Sequence, residues 1–241
     1  LPYELYKKAK IRRYGAHGTS HKYVALRTAQ LLDRPLEELK MITCHLGNGA
    51  SITAIKDGRC VDTSMGMTPL EGLIMGTRCG SLDPSIPLYI MEREGLTTQE
   101  CNDLMNKQSG LKGMSGISHD MRDIEEAMEQ GHERAIQAFD AYVHSIVKHI
   151  GAYTAVLGGL DCLVFTAGIG ENSPLLRSRV CGKLAGLGIQ ISEERNQDKE
   201  KEKEISTAKS NVSVWVVPTN EELMIARETA ELSTKAIQKR S

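Results

Sequence analysis

Two glycine-rich segments of the sequence could bind phosphate groups. The first, HLGNGAS, covers residues 45–51 and lies between two short apolar runs. The second, AGIGENS, covers residues 167–173 and follows the apolar run LVFT. Glycine leaves backbone N–H groups uncovered, and consecutive amides of this kind bind phosphate oxygens. Asn-Gly is also a common turn dipeptide, so an ordinary hairpin turn is the alternative for the first segment.

Histidine and arginine side chains that could neutralise phosphoryl charge lie beside further glycines. In RRYGAHGTSH, His17 stands between two glycines, where its imidazole could approach a substrate. Arg78, in MGTRCG, could hold a phosphoryl or carboxylate group. A structural histidine in a turn and an ordinary surface arginine are the alternatives. His21 follows His17 at a spacing seen in metal sites, but no acidic partner follows, so we expect no metal there.

Several acidic residues have both a binding and a capping interpretation. Asp120 and Arg122, in SHDMRD, could contact a ribose or a base, or Asp120 could cap a helix. Thr219 and Glu222 have the spacing of a capping box for the last helix. That interpretation leaves Glu221 free to hold a cation through water.

The elements that would position these residues follow from periodicity and from glycine and proline punctuation. We predict strands at MITCHL, SITAIK and RCVDTS, the last two joined by a tight turn at Asp57-Gly58. A continuous apolar run predicts a buried strand over residues 163–168. The last strand is VSVWVV. This order of strands and helices indicates an α/β fold with a mixed sheet flanked by helices.

Helices are predicted where apolar residues recur every three or four positions or where capping signals occur. Two further segments are predicted to be loops: the glycine- and methionine-rich residues 65–80, and the charge run over residues 192–204. The predicted helices cover residues 20–32, the segment after Asp83-Pro84, residues 97–106 and 133–157, the segment after Ser173-Pro174, and the end of the chain.

Composition excludes several classes of partner. The 241 residues carry a formal net charge of −1, so no basic field exists to hold nucleic acid or anionic lipid. No apolar run approaches the roughly 20 residues of a membrane helix, and the first residues are too polar for a signal peptide. The six cysteines are widely spaced, which predicts reduced thiols and no structural zinc. We therefore expect a cytoplasmic protein that binds neither nucleic acid nor membranes.

Five motifs, in this order, resemble those of the acetate kinase family of short-chain carboxylate kinases. They are RRYGAHGTSHKYV, HLGNGAS, MGMTPLEGLIMGTRCGSLDP, FTAGIGENSPLLR and PTNEELMIARET. The resemblance extends over essentially the whole chain. It implies an actin-like ATPase (ribonuclease H-like) fold, and reversible transfer of a phosphoryl group between ATP and acetate to give acetyl phosphate and ADP. It also implies a homodimer.

The resemblance implies a role for each residue that matches a family motif. His17 and Arg78 match the catalytic residues that stabilise the phosphoryl group in flight, and Glu221 matches a residue associated with Mg²⁺. Residues that match the nucleotide-binding set are His45, Gly47, Asn48 and Gly49 on the phosphate side, and Asp120, Met121, Arg122, Gly168, Ile169, Gly170 and Asn172 around the adenosine.

The sequence departs from the family in its extent. It matches only the C-terminal domain of a two-domain kinase and the linker into it. We therefore expect a linker over residues 1–18 and a nucleotide-binding domain over residues 19–241, with the N-terminal domain missing. The chain alone should bind nucleotide weakly and should not turn over. A noncatalytic nucleotide-binding module is the alternative from another functional class.

The second departure is Ala16, where the family usually has phenylalanine. In the family this phenylalanine lines the acyl pocket together with the proline that matches Pro69. Loss of the ring should enlarge the pocket, which predicts good use of propionate or butyrate. A propionate or butyrate kinase is therefore the alternative enzymatic interpretation.

Overall fold

The computed structural model describes residues 1–238, with side chains through Thr234. Its centre is a six-stranded mixed sheet with the strand order β3-β2-β1-β4-β6-β5. β1 pairs antiparallel with β2 and parallel with β4, and β4 pairs parallel with β6. The strands are β1 (Met41–Leu46), β2 (Ala50–Lys56), β3 (Arg59–Thr63), β4 (Cys162–Thr166), β5 (Lys203–Glu204) and β6 (Ser213–Val216). The predicted mixed sheet is confirmed.

Helices account for most of the remaining described residues. They are α1 (Tyr3–Ala9), α2 (Gly18–Leu31), α3 (Ser85–Glu94), α4 (Thr98–Lys107), α5 (Gly110–Ser115), α6 (Met121–Glu129), α7 (Glu133–Leu157), α8 (Ala167–Asn172), α9 (Pro174–Lys183), α10 (Glu193–Gln197) and α11 (Glu221–Gln238). Among the described helices, none is long and apolar enough to cross a membrane.

Helices cover both faces of the sheet. α7 lies on one face, where Phe139 and Tyr142 share a core with Ile42 of β1. α2 lies on the other face, where Val24 shares a second core with Met41. Because successive residues of a strand point to opposite faces, neighbouring residues of β1 belong to different cores. The helix predicted over residues 133–157 is confirmed as α7, and its buried residues recur every three or four positions, whereas Ile136 and Val156, at the same spacing, are exposed.

The turn between β2 and β3 has the predicted geometry. Asp57 and Gly58 both have positive φ, 52° and 70°. Two successive left-handed residues suit a two-residue hairpin turn, and glycine adopts this conformation without steric cost. Residues 65–80 contain no helix or strand, in agreement with the predicted loop.

The helix predicted after Ser173-Pro174 is confirmed as α9, and the glycine segment before it forms the short helix α8. Two other local predictions are wrong. The charge run over residues 192–204 is not a solvated loop, because it contains α10 with the buried Asn196, and Lys203 of β5 is also buried. The capping box of α11 does not form, because Asn220 Oδ1 accepts the N–H of Leu223 at 3.0 Å.

Candidate active site

A cleft of about 350 Å³ lies at the carboxyl ends of strands β1 and β4, where the two glycine segments meet. Since β1 and β4 are parallel neighbours, their carboxyl ends lie side by side, with His45 opposite Thr166. The β1–β2 turn and α8 follow these carboxyl ends, which are the usual place for a ligand in an α/β sheet. The cleft is lined by Gly47, Asn48, His119, Asp120, Met121, Arg122, Glu125, Gly168, Ile169, Asn172 and Ser173. Eight of these residues were predicted from the sequence to bind nucleotide, whereas His119, Glu125 and Ser173 were not.

The backbone of the β1–β2 turn lies close to the side chains of Arg78 and His17. The N–H of Gly47 donates to the carbonyl of Gly49 at 3.1 Å, which closes the turn. A Cβ atom built on Gly49 would lie 3.1 Å from Nη1 of Arg78 and 3.5 Å from Nε2 of His17. A side chain at this position would therefore crowd the end of Arg78, and glycine lets both side chains lie close to the turn.

His17 is held in a defined orientation at the start of α2. It is the N-cap residue of that helix and has a left-handed φ of 60°. Its Nδ1 lies 2.8 Å from Oγ of Ser51, and its ring stacks on His45 with centroids 4.0 Å apart. A non-glycine residue at positive φ is strained, and such strain is common at functional sites. These contacts direct Nε2 of His17 toward Gly49.

A buried hydrogen-bond network continues behind His17. The alternation of β1 turns Thr43 and His45 toward α2. His21 bonds Ser51 Oγ through Nε2 and Thr43 Oγ1 through Nδ1, both at 2.7 Å. Ser20 Oγ lies 2.8 Å from Nδ1 of His45. His21 thus joins Ser51, which also bonds His17, to Thr43 of β1, so both of its ring nitrogens are engaged by hydroxyl groups. The only sign of this network in the sequence is the presence of small hydroxyl residues, Thr43 and Ser51, within strands that are predicted to be buried.

Arg78 reaches the same place from the long loop after β3. Its Nη1 donates to the carbonyl of Pro69 at 3.2 Å and lies 3.7 Å from Sδ of Met75. Among the described residues, no carboxylate forms an ion pair with it. A guanidinium that keeps its charge uncompensated beside a glycine turn is suited to bind an anion.

All three clustered histidines are held neutral near pH 7. Burial, followed by the charge of Arg78, lowers the pKa of His17. Burial and the neighbouring His17 lower the pKa of His45 to about 4. Burial, with smaller effects of His45 and His17, lowers the pKa of His21 to about 3. A neutral His17 has one ring N–H, and its partner at Nδ1 decides which nitrogen carries it.

These pKa values predict a loss of stability in mild acid. The unfolded chain binds more protons than the folded chain below about pH 6.5, so the free energy of unfolding falls as the pH falls from about 6.5 toward 4. For His21 the expected loss between pH 7 and pH 5 is about 2 kcal/mol. Urea unfolding at a series of pH values measures it.

A His21→Gln variant should show a flatter pH dependence over this range, because an amide can bond both hydroxyls without titrating. His144→Gln, at an exposed position of α7, serves as the control and should leave the slope unchanged. Equal slopes for the wild-type and His21→Gln proteins would contradict this account.

Comparison with known proteins identifies the family. The model of the acetokinase family matches residues 1–227. The chain belongs to the acetokinase family. It is 59% identical over 235 residues to the acetate kinase of Dictyoglomus thermophilum and 60% identical over 232 residues to that of Symbiobacterium thermophilum. These matches cover 98% and 96% of the chain, but only 59% and 58% of the two relatives.

Solved structures of the family share the fold. The acetate kinase of Porphyromonas gingivalis superposes with a TM-score of 0.93 at 48% identity, over 96% of this chain and 58% of that protein. A propionate kinase of Francisella tularensis superposes with a TM-score of 0.89 at 46% identity, over 95% of this chain and 58% of that protein. The six-stranded mixed sheet flanked by helices is thus the actin-like ATPase fold of these kinases.

In this acetokinase chain, Asp120 caps a helix and also lines the cleft. Its Oδ1 accepts the N–H of Arg122 at 2.9 Å and so caps α6. Its Oδ2 also accepts from Nη2 of Arg122 at 2.6 Å, and these bonds lower the pKa of Asp120 to about 2. Both side chains line the cleft, so capping does not remove them from it.

The remaining predicted residues lie around the cleft or away from it. Gly170 is buried behind the wall of the cleft, on α8. Glu221 is exposed at the start of α11, two residues after Thr219, whose N–H lies 3.4 Å from Oε1 of Glu171 on α8. Pro69 is exposed and meets Arg78, whereas Ala16 lines a different cleft of about 470 Å³ between α2 and the β2–β3 hairpin.

Proposed function

We propose that this chain provides the nucleotide-binding and phosphoryl-stabilising part of an acetate kinase, which transfers a phosphoryl group reversibly between ATP and acetate. The observation that supports it best is the meeting of His17 and Arg78 at Gly49, at one end of a cleft of about 350 Å³. A noncatalytic binding module would have a use for the cleft but no evident use for both side chains. The acetate kinases among the relatives point to the same reaction.

The proposed chemistry needs positioning and charge neutralisation more than a protein nucleophile. In phosphoryl transfer, negative charge spreads over the equatorial oxygens of the group in flight. Arg78 would place its uncompensated guanidinium against these oxygens, and His17 would donate one hydrogen bond from Nε2 while Ser51 holds Nδ1. The amides of the β1–β2 turn and His45 would hold the nucleotide phosphates. The cleft residues of α6 and α8 would hold the adenosine.

A divalent cation fits this site only as a partner of the nucleotide. Among the described residues, no group of three or more histidine, cysteine or acidic side chains is placed to hold a metal. Mg²⁺ usually keeps several waters and binds phosphates with one or two carboxylates, so a single acidic residue is sufficient. We assign this role to Glu221. The ion would neutralise charge on the phosphates when bound.

The proposal includes a domain arrangement. Residues 1–18 would be a linker and residues 19–241 the nucleotide-binding domain of a longer cytoplasmic enzyme that forms a homodimer. In support of the linker, α1 has no buried residue. The N–H groups of Tyr14 and Gly15 both donate to the carbonyl of Gly66, at 2.9 and 3.1 Å, which ties the end of the linker to the loop that leads to Arg78.

The proposed function predicts binding without turnover for this chain alone. Titration calorimetry with ADP should show weak saturable binding, and a hydroxamate assay for acetyl phosphate should show no product. Activity should appear in a chimera in which this chain replaces the matching part of the Dictyoglomus thermophilum acetate kinase. ADP binding with an inactive chimera would favour the noncatalytic module, and absence of ADP binding would refute the proposal.

The acyl acceptor is a second question. Ala16 is half-buried and packs against the main core at its edge. The absence of a ring there, and the propionate kinase among the structural relatives, favour a pocket that accepts a longer acyl chain. In the chimera, we expect kcat/KM for propionate within about tenfold of that for acetate, since one methylene is worth about 1–3 kcal/mol. Ala16→Phe should restore a preference for acetate, and a steep acetate preference without that change would contradict the prediction.

A further inference from the structure

The cleft has two distinct ends, and the position of α8 defines them. A Cβ atom built on Gly47 would lie 3.8 Å from Cβ of Ala167, so α8 starts beside the turn that meets Arg78. Gly168, Ile169 and Asn172 line the cleft, so one face of the helix follows it. Six residues of helix advance by about 9 Å. Ser173, directly after α8, therefore lies at the end remote from the turn.

Glu125 of α6 faces Ser173 at this remote end. Its Oε1 accepts a short hydrogen bond from Oγ of Ser173. That hydroxyl also accepts the N–H of Leu176 at 3.0 Å, so its single proton is directed to the carboxylate. The serine thus fixes the orientation of the glutamate and occupies one of its oxygens.

The second oxygen of Glu125 is available to a ligand. The side chain is half-buried and lines the cleft. Among the described residues, no lysine or arginine forms an ion pair with it, and no hydrogen-bond donor reaches Oε2. Burial, together with Glu129, raises the pKa of Glu125, while the bond from Ser173 lowers it. A carboxylate oxygen in this setting favours a ligand that brings a hydrogen-bond donor.

We propose that Glu125 selects the nucleobase by accepting a hydrogen bond from the 6-amino group of adenine. This inference rests on the proposed function, which places the phosphates at the β1–β2 turn and so the base at the Ser173 end. Guanine and hypoxanthine carry a 6-oxo group at the same position, and two acceptors would then face each other. Because Ser173 already bonds Oε1, the two-oxygen pairing of a carboxylate with the N1–H and 2-amino groups of guanine is disfavoured at Glu125.

The test compares two nucleotides that differ at this part of the purine. Titration calorimetry of the 241-residue chain with ADP and with IDP should give a dissociation constant at least about tenfold lower for ADP, because IDP presents an acceptor at the position where ADP presents the 6-amino donor. In Glu125→Gln the carboxamide can donate to the 6-oxo group, so the two constants should come within about threefold of each other.

The control is Glu126→Gln, an exposed neighbour on α6 that does not line the cleft, which should keep the wild-type ratio. Glu125→Asp, which keeps the charge but withdraws it by one methylene, replaces Glu125→Gln if the latter does not fold and should also reduce the ratio.

The outcomes separate the two proposals. An equal loss of ADP and IDP affinity in Glu125→Gln would place the carboxylate against the ribose and overturn the base assignment. An unchanged ratio, or a wild-type chain that binds both nucleotides equally, would overturn it as well, while leaving the proposed function intact. A wild-type chain that binds neither nucleotide would remove both proposals.

Discussion

Replacing Arg78 with alanine is expected to lower kcat by about 10²–10³-fold in the chimera described above, since one preorganised donor to a transition state is worth this much. The physical reason is that Arg78 has no described carboxylate partner, so its charge is available to the transferring group. KM for ATP should change little, because the residue lies beyond the turn and outside the cleft that we assign to the nucleoside. Steady-state kinetics with acetate and ATP measure both parameters.

Two matched variants define what the Arg78 result means. Arg78→Lys keeps the positive charge but loses the planar fork, so it should recover only part of the activity. Arg93→Ala removes an arginine that pairs with Glu94 on the surface of α3, and it should behave as the unmodified chimera. A loss of ATP affinity equal to the loss of kcat in Arg78→Ala would show that the arginine binds the ground state and would contradict the proposed role.

The second large effect is expected from Arg177 of α9, which is completely buried. Its Nη1 donates to the carbonyls of Gly170 and Glu171, both at 2.8 Å, and these carbonyls close the end of α8. Its Nε and Nη2 donate to the side chain and the carbonyl of Asn196, also at 2.8 Å. Burial lowers the pKa of Arg177 to about 10, so the guanidinium still carries its charge near neutral pH.

Arg177→Met should therefore lower the free energy of unfolding by about 3 kcal/mol or more, because each buried acceptor left without a donor costs about 1–3 kcal/mol. ADP affinity should fall too, because α8 lines the cleft. Urea unfolding compares the variant with Arg179→Met, an exposed arginine of the same helix, which should change stability by less than about 0.5 kcal/mol. Similar losses for the two variants would mean that Arg177 does not hold α8.

The contrast between Arg177 and the charge run shows where sequence patterns are insufficient. Residues 192–204 have no apolar periodicity, so a pattern based on hydrophobicity predicts solvent. In the fold, Lys203 Nζ donates to the carbonyl of Asn196 at 3.2 Å, beside the guanidinium of Arg177. Burial of these polar groups depends on the backbone carbonyls that they satisfy, and these carbonyls belong to turns and helix ends whose positions come from tertiary packing, not from a hydrophobic pattern.

The sequence by itself determined the features that depend on neighbouring residues. The period of α7, the Asp57-Gly58 turn and the strands around HLGNG follow from side-chain pattern and from local φ preferences, and the motif order was sufficient to indicate the family.

Only the tertiary structure decided which residues meet. The parallel pairing of β1 with β4 places the two glycine segments side by side at the carboxyl ends of these strands. The alternation of side chains along β1 turns His45 toward α2. Contacts such as His17 with Ser51, or Glu125 with Ser173, join residues 34 and 48 positions apart, so no local pattern encodes them.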